Sequence, residues 1–369
     1  MANISSAATG DWNATSSWSG GAVPVAGDLV TILSGHNITL TQDQPTGVVV
    51  INSGGTLTGG GFKLTLNDAG GTTFIFSNVG TISGNLDIDI TGGSADRPIN
   101  EVGTGSIRNL TINNAQTYNL HANLSLTGNL TITTGTLTTV SSGGTNNSLT
   151  VGTNTDDGGA TGHLLILDDG ELICNSSTVI VGSVYCQIAA GSNGTGFSEL
   201  NLPDASGSFT VRGPEKNGYV FRLDNQAECN HNSGTVTFSL TAENHPSIMD
   251  VTSLRGTGVN NILVTQTVSS SSTGGVLEFV GSDTVKGNLT LTGNGSESCI
   301  VDTNFNGANL TVDGDVTVNN HSTLIKRTTN TGNYSFGSLT IASGGTYLAT
   351  TGTTEITSAA SNYAVTNNG

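Results

Sequence analysis

Short runs of alternating apolar and polar residues dominate this chain, as in Leu130-Thr-Ile-Thr133 and Leu289-Thr-Leu-Thr292. Alternation with a period of two marks strands that bury one face. Gly-Gly, Asn-Gly and Ser-Gly pairs punctuate the runs as turn signals do. No stretch keeps apolar residues at helical spacing over three turns, so the expected helix content is close to nil. The strands also repeat. Lys63-Leu-Thr65, Asn85-Leu-Asp87, Asn109-Leu-Thr111, Asn129-Leu-Thr131 and Ser148-Leu-Thr150 form one series, which resumes at Asn288-Leu-Thr290, Asn309-Leu-Thr311 and Ser338-Leu-Thr340. Self-similarity at a spacing of about twenty residues marks stacked units, each burying its apolar face only against its neighbours.

A hairpin-built sandwich would place strands roughly every 8–12 residues, joined by tight turns. A longer unit that holds two or three strands predicts instead an all-β, right-handed parallel β-helix, a solenoid whose coils stack with strands ~4.8 Å apart. At about 22 residues per coil the chain makes on the order of 15 coils and a rod roughly 70–80 Å long. Leu64, Leu86, Leu110, Leu130 and Leu149 then stack as one inward ladder. Asn and Gly flank the strands because a coil corner calls for left-handed backbone, which these two residues reach cheaply.

Four stretches follow along the chain. Residues 1–46 are a lead-in carrying both tryptophans, 47–152 hold the most regular coils, 153–283 have longer loops, and 284–369 return to the short repeat and end in a polar tail. The longer loops include Arg212-Gly-Pro-Glu-Lys-Asn-Gly-Tyr219 and Glu243-Asn-His-Pro-Ser247. An open coil edge invites edge-to-edge pairing. The lead-in is therefore expected to form an N-terminal cap, with Trp12 and Trp18 covering the apolar coil end rather than stacking on a sugar.

Composition narrows the function classes. Charged residues are only 10% while 34% are hydrophobic, which fits a folded chain under a Thr/Ser/Asn surface better than disorder. Gly is 52 residues and Pro six, neither collagen-like nor a proline linker. A formal charge of −17 from 27 acidic and 10 basic residues, with no basic cluster, argues against nucleic acid and anionic membrane as partners. The acidity reads as a solubility feature, divalent-cation binding being the sharper alternative. Met1-Ala-Asn-Ile-Ser-Ser-Ala-Ala-Thr9 has neither the basic nor the apolar segment of a secretory signal, and no apolar run is long enough to span a membrane.

Gly10-Asp-Trp-Asn-Ala-Thr-Ser-Ser-Trp-Ser-Gly-Gly-Ala-Val-Pro-Val-Ala-Gly-Asp28, running into the strand Leu29-Val-Thr-Ile32, carries a further pattern. It resembles the opening of β-helical surface and virion proteins of bacteria and their phages. Cys229-Asn-His-Asn-Ser-Gly-Thr-Val-Thr-Phe238 and the Asn-Leu-Thr-Ile strands are similar to repeats of the same group. A start at Met-Ala-Asn without a leader resembles the phage members. The likeness is architectural over most of the chain and motif-specific only within residues 10–32. It implies a structural or adhesive appendage and carries over no catalytic residue.

Phage β-helical spikes can also be glycan hydrolases or lyases, so carboxylates matter. A glycosidase needs two carboxyl groups flanking one bond, roughly 5–9.5 Å apart. Asp87 and Asp89 alternate onto one strand face, and Asp168, Asp169 and Glu171 form the densest acidic group. The plainer reading makes the first two solvated positions and Asp168-Asp169-Gly170 a turn with a positive-φ glycine. Cys229 and His231 lie two apart on an expected strand and so on one side, which suits a metal pair but supplies only two ligands. His36, His121, His163, His245 and His321 are scattered singly. Cys174, Cys186, Cys229 and Cys299 lack metal-knuckle spacing and read as buried free thiols rather than disulfides. Sequons at Asn37, Asn109, Asn129, Asn288, Asn309 and Asn333 coincide with the repeat, so turn chemistry explains them better than glycosylation. An ice-binding Thr plane would need a constant coil length, which the drifting repeat does not keep.

The expectation from these readings is a non-enzymatic component of a tailed-phage virion, of fibre, spike or capsid-decoration type. It would be a homotrimer bound to other virion structural proteins, offering outward Thr, Ser and Asn to host-surface glycans. No catalytic, cofactor-binding or metal residue is assigned and no cofactor is expected. A bacterial cell-surface adhesin or extracellular filament subunit is the alternative, and a polysaccharide-degrading enzyme the third reading.

Overall fold

The computed structural model describes residues 2–68, 73–93, 97–152, 162–187, 197–213, 219–223, 227–240, 247–250, 257–266, 276–294, 299–303, 307–324, 331–349, 351–357 and 364–368. Among them there is no α-helix, only two 3-10 turns at Thr15–Ser17 and Ser19–Gly21. The chain is all-β, with long sheets of parallel strands, consistent with a parallel β-helix. It divides into two compact units. Unit 1 is Met1–Thr153 with Thr161–Thr178, and unit 2 is Asn154–Ala160 with Val179–Gly369.

In unit 1, Asn3–Ser5 pairs with Leu29–Ile32, then Val48–Ile51, Phe76–Asn78 and Arg97–Glu101 follow in turn, all parallel. Gly10–Asp11, Asn37–Thr39, Thr56–Thr58 and Thr81–Ser83 stack likewise as a second sheet. The lead-in strands thus join the sheets of the coils that follow. Trp12 and Trp18 are buried, at 0% and 2% exposure, edge to face with centroids 5.0 Å apart. Trp18 Nε1 donates to the Trp12 carbonyl, so the polar handle is satisfied inside the core.

The regular repeat is carried by Lys63–Asn67, Asp87–Gly92, Asn109–Leu120, Leu130–Thr138 and His163–Ile173. Alternation places Leu64, Ile88, Leu110, Leu130 and Leu164 on one inward ladder, each no more than 1% exposed. Each such side chain contributes roughly 1.5–3 kcal/mol by leaving water. All five leucines expected inward are buried. Their register is corrected at two rungs. Leu86 lies just before its strand, and Ile88 stacks on Leu64. Leu149 pairs with Leu124 in another sheet, and Leu164 stacks on Leu130. Both side chains keep the right parity, but loops of unequal length decide which coil-mate they meet.

Unit 2 repeats the scheme with other residues. Val236, Ile262, Leu289, Val316 and Leu339 form one buried ladder, and Phe238, Val264, Leu291, Val318 and Ile341 another. Leu310, in the next copy of the repeat after Leu289, lies on a different rung and pairs with Asp283 and Tyr334. All four cysteines are free and buried, and burial pushes the Cys229 and Cys299 thiols up to about 12.

Candidate functional site

The asparagine of the repeat caps the following coil through its side chain. In unit 1 Asn109 Oδ1 accepts the Asn129 N–H at 2.8 Å, and Asn129 Oδ1 accepts those of Gly162 and His163 at 3.1 and 2.9 Å. Asp87 occupies the preceding rung and accepts the Asn109 N–H at 3.2 Å. In unit 2 Asn261 accepts from Asn288, Asn288 from Asp315, Asn309 from Asn333 and Asn333 from Thr353, at 2.7–2.9 Å.

The expectation of left-handed backbone at these asparagines is overturned. Among the described residues, non-glycine positive φ occurs at Asp168, Asn175, Asn232, Ser233 and His321, none of them a ladder asparagine. The glycine before the asparagine answers to close approach instead. A Cβ on Gly128 would lie 2.3 Å from Asn109 Oδ1, and one on Gly287 2.4 Å from Asn261 Oδ1. The Gly-Asn pair is therefore one device, in which the asparagine of one coil lies over the glycine of the next.

At the surface of unit 2 this ladder lines a groove of about 270 Å³, formed by Asn309, Thr311, Asn333, Tyr334, Ser335, Thr353 and Glu355. Its strands are Leu310–Val318, Tyr334–Ile341 and Thr354–Ile356, and their register stacks Thr311, Ser335 and Glu355. Alternation turns these three outward and Leu310 and Tyr334 inward. The Tyr334 hydroxyl meets Thr303 Oγ1 at 2.9 Å, and burial pushes it up to about 12, so it stays neutral. Asn309, Asn333, Thr353 and Glu355 are exposed. Because Oδ1 of Asn309 and of Asn333 is held by a backbone N–H, each side chain is oriented and its Nδ2 is presented as a donor. The groove thus offers two oriented amide donors, three hydroxyls and one carboxylate.

The acidic candidates fall elsewhere. Asp87 and Asp89 do share an outward strand face, and the fold brings each a cation from a neighbouring coil. Arg108 Nε and Nη2 grip Asp87 at 2.7 and 2.6 Å, and Lys63 Nζ lies 2.7 Å from Asp89. These hydrogen bonds raise the pKa of both Arg108 and Lys63. Asp168, Asp169 and Glu171 do not form the expected turn; they lie inside the strand His163–Ile173. The register shifts there, from Ile132 facing Ile166 to Thr134 facing Asp169, and Asp168 rather than Gly170 takes positive φ, at 47°. Glu171 Oε2 accepts the Thr136 hydroxyl at 2.7 Å.

Cys229 and His231 are not brought to one face. Cys229 is buried within Glu228–Asn230, whereas His231 lies beyond the strand at a turn, its Nδ1 accepting the Ser233 N–H. His36 bonds Ser6, His121 packs edge-on against Phe74, His163 is buried and His321 takes positive φ. His245 and most of the two long loops lie outside the described residues.

Two features escape a reading of the sequence. The groove has a signal in the sequons Asn309-Leu-Thr and Asn333-Tyr-Ser, but turn chemistry accounts for these equally well along the chain. Glu101 has none. Its Oε1 accepts Asn78 Nδ2 at 2.7 Å while Oε2 is buried without a hydrogen bond among the described residues. Burial pushes this carboxyl up to about 7, against the opposing pull of the Asn78 hydrogen bond.

Comparison with known proteins finds no matching family model, no similar curated protein and no similar solved structure.

Proposed function

We propose that the chain is a non-enzymatic structural and adhesive component of a tailed-phage virion, of fibre, spike or capsid-decoration type, that holds host-surface glycans in the unit 2 groove. The observation that carries adhesion is the groove itself, where Thr311 and Ser335 lie on paired strands and Asn309, Asn333 and Thr353, each just before its strand, are tied to one another by side-chain to backbone hydrogen bonds. Sites built on regular elements hold their geometry better than sites on loops. The stacked apolar ladders and the asparagine caps support the structural half of the reading, since among the described residues they bond successive coils to one another within each unit. Within this reading the fold is a right-handed parallel β-helix, the lead-in with buried Trp12 and Trp18 is its cap, and the particle carries it as a homotrimer among other structural proteins. The virion setting is supported by the resemblance of residues 10–32.

The test is co-sedimentation of the purified chain with host-surface polysaccharide, while soluble sugar is assayed in parallel. The expected result is retention without release of oligosaccharide, weakened in a Thr311→Val/Ser335→Ala double variant that keeps its fold. Release of oligosaccharide that Asp169→Asn abolishes would replace this reading with a polysaccharide-degrading one. A low-resolution electron image of the particle locates the protein, and its absence from the virion would move the reading to a cell-surface adhesin.

A further inference from the structure

We infer that the unit 2 groove selects uncharged glycans bearing acetamido groups and rejects acidic ones, an inference that rests on the glycan-binding reading above. An asparagine side chain ordinarily offers a ligand both an acceptor and a donor. Here one lone pair of each amide oxygen is already taken, because Asn309 Oδ1 accepts the Asn333 N–H at 2.7 Å and Asn333 Oδ1 the Thr353 N–H at 2.9 Å. The amide oxygen is held by the backbone, so the group each asparagine leaves wholly unengaged for a ligand is its Nδ2 donor. Two such donors on successive coils stand about one strand spacing apart, ~4.8 Å. They call for a ligand that repeats acceptors along its length, and a carbonyl accepts an amide N–H better placed than a hydroxyl that must rotate to suit.

The opposite requirement comes from Glu355, which stacks on Ser335 and Thr311 in the same groove. An ionised carboxylate only accepts, so it calls for an N–H or O–H on the ligand. An acetamido group supplies both halves, a carbonyl for the asparagine amides and an N–H for Glu355. The hydroxyls of Thr311, Ser335 and Thr353 can match the remaining sugar hydroxyls as donor or acceptor. A uronate or sialate would instead set its carboxylate beside Glu355, and the lining residues hold no cation to offset it. Like charges at such range disfavour binding, and the chain's net charge of −17 adds to that.

The test uses three soluble probes: N-acetylchitotetraose, cellotetraose and tetragalacturonate, titrated against the full chain by calorimetry. The expected order is N-acetylchitotetraose first, cellotetraose weaker and tetragalacturonate weakest. Asn333→Asp keeps the ladder acceptor, as Asp87 does at its own rung, and exchanges the donor for a carboxylate oxygen. It should melt as the wild type does and lose at least about fivefold in affinity for N-acetylchitotetraose, the worth of one hydrogen bond. Glu355→Gln should narrow the gap between the acidic probe and the others. Wild-type binding of tetragalacturonate as tight as that of N-acetylchitotetraose overturns the selectivity and leaves glycan binding standing. Equal affinity for cellotetraose and N-acetylchitotetraose, or an Asn333→Asp variant that binds undiminished, overturns the acetamido assignment. No binding of any probe, together with no retention on host polysaccharide, sinks the glycan-binding reading itself.

Discussion

Asp87 in unit 1 and Asn309 in unit 2 play the same capping role, each accepting a backbone N–H from the next coil. Around Asp87 the neighbouring coils supply Arg108, which grips the carboxylate at two points, and Lys63, which reaches Asp89. Around Asn309 its own coil supplies Thr311 and the neighbouring coils Asn333, Ser335 and Thr353, which together line the groove. One backbone device therefore carries two kinds of surface. Around Asp87 the charges answer each other across coils. At the unit 2 groove the ladder holds the amide oxygens in place and leaves an oriented polar strip. The difference shows that the capping role fixes the side chain's orientation, while the residues contributed by adjacent coils decide whether that orientation is available for binding.

The comparison holds only while the inward ladders hold, so the largest expected effect comes from breaking one. Leu130→Asp places a carboxylate between Leu110 and Leu164 at a fully buried rung. A cost of roughly 5 kcal/mol or more is expected, because an unpaired charge would be buried in an apolar stack. Denaturant unfolding followed by circular dichroism measures it. An unchanged midpoint would mean that the rung is not in the core.

Buried and surface ion pairs of unit 1 should then separate clearly. Arg97 Nη1 meets Asp68 Oδ2 with side-chain exposures of 7% and 0%. Arg97→Met leaves that carboxylate buried and should cost about 3–5 kcal/mol. Arg108→Met disrupts a pair whose members are 32% and 21% exposed, and less than about 1 kcal/mol is expected. Equal losses from the two variants in one urea series would contradict the view that the outward charges of unit 1 merely answer each other.

Glu101 gives an effect of intermediate size with a definite sign. Its carboxyl is held at about 7 in the fold against an ordinary 4.5. The folded chain thus keeps a proton that the unfolded chain has lost, and this stabilisation is complete below pH 4.5 and gone once pH has risen through about 7. Replacing the carboxyl by an amide removes the dependence, so Glu101→Gln should be more stable than wild type at pH 8 by roughly 2–3 kcal/mol. Melting temperatures at pH 5 and pH 8 test this, and a wild-type difference that the variant fully retains would assign the dependence to another group. The smallest effect on stability is expected in the groove, where Thr311→Val should leave the melt within about 0.5 kcal/mol, as surface changes usually do.

Much of the fold is legible in the chain, and for a local reason. Alternation sets which side chains point inward, so the inward placement of Leu64, Leu110, Leu130, Leu289 and Leu339 follows from their strand positions alone. The absence of helical spacing and the repeating unit are enough to expect stacked parallel strands. Alternation fixes parity alone, however. Which coil-mate a leucine meets depends on the loop between them, which is why Ile88 displaces Leu86 and Leu164 displaces Leu149.

The candidate site divides in the same way. Outward Thr, Ser and Asn are evident from the repeat, but their grouping into one groove is not, because Asn309, Asn333 and Thr353 are neighbours only through the register of three coils. The pairing of Asp87 with Arg108, 21 residues away, is equally hidden, as is the desolvation that raises Glu101. The sequence by itself determined strand type, side-chain parity and surface chemistry, since each depends on near neighbours along the chain. Register, burial depth and the pairing of charges across coils were decided only by the tertiary structure, because each depends on where loops of unequal length return the chain.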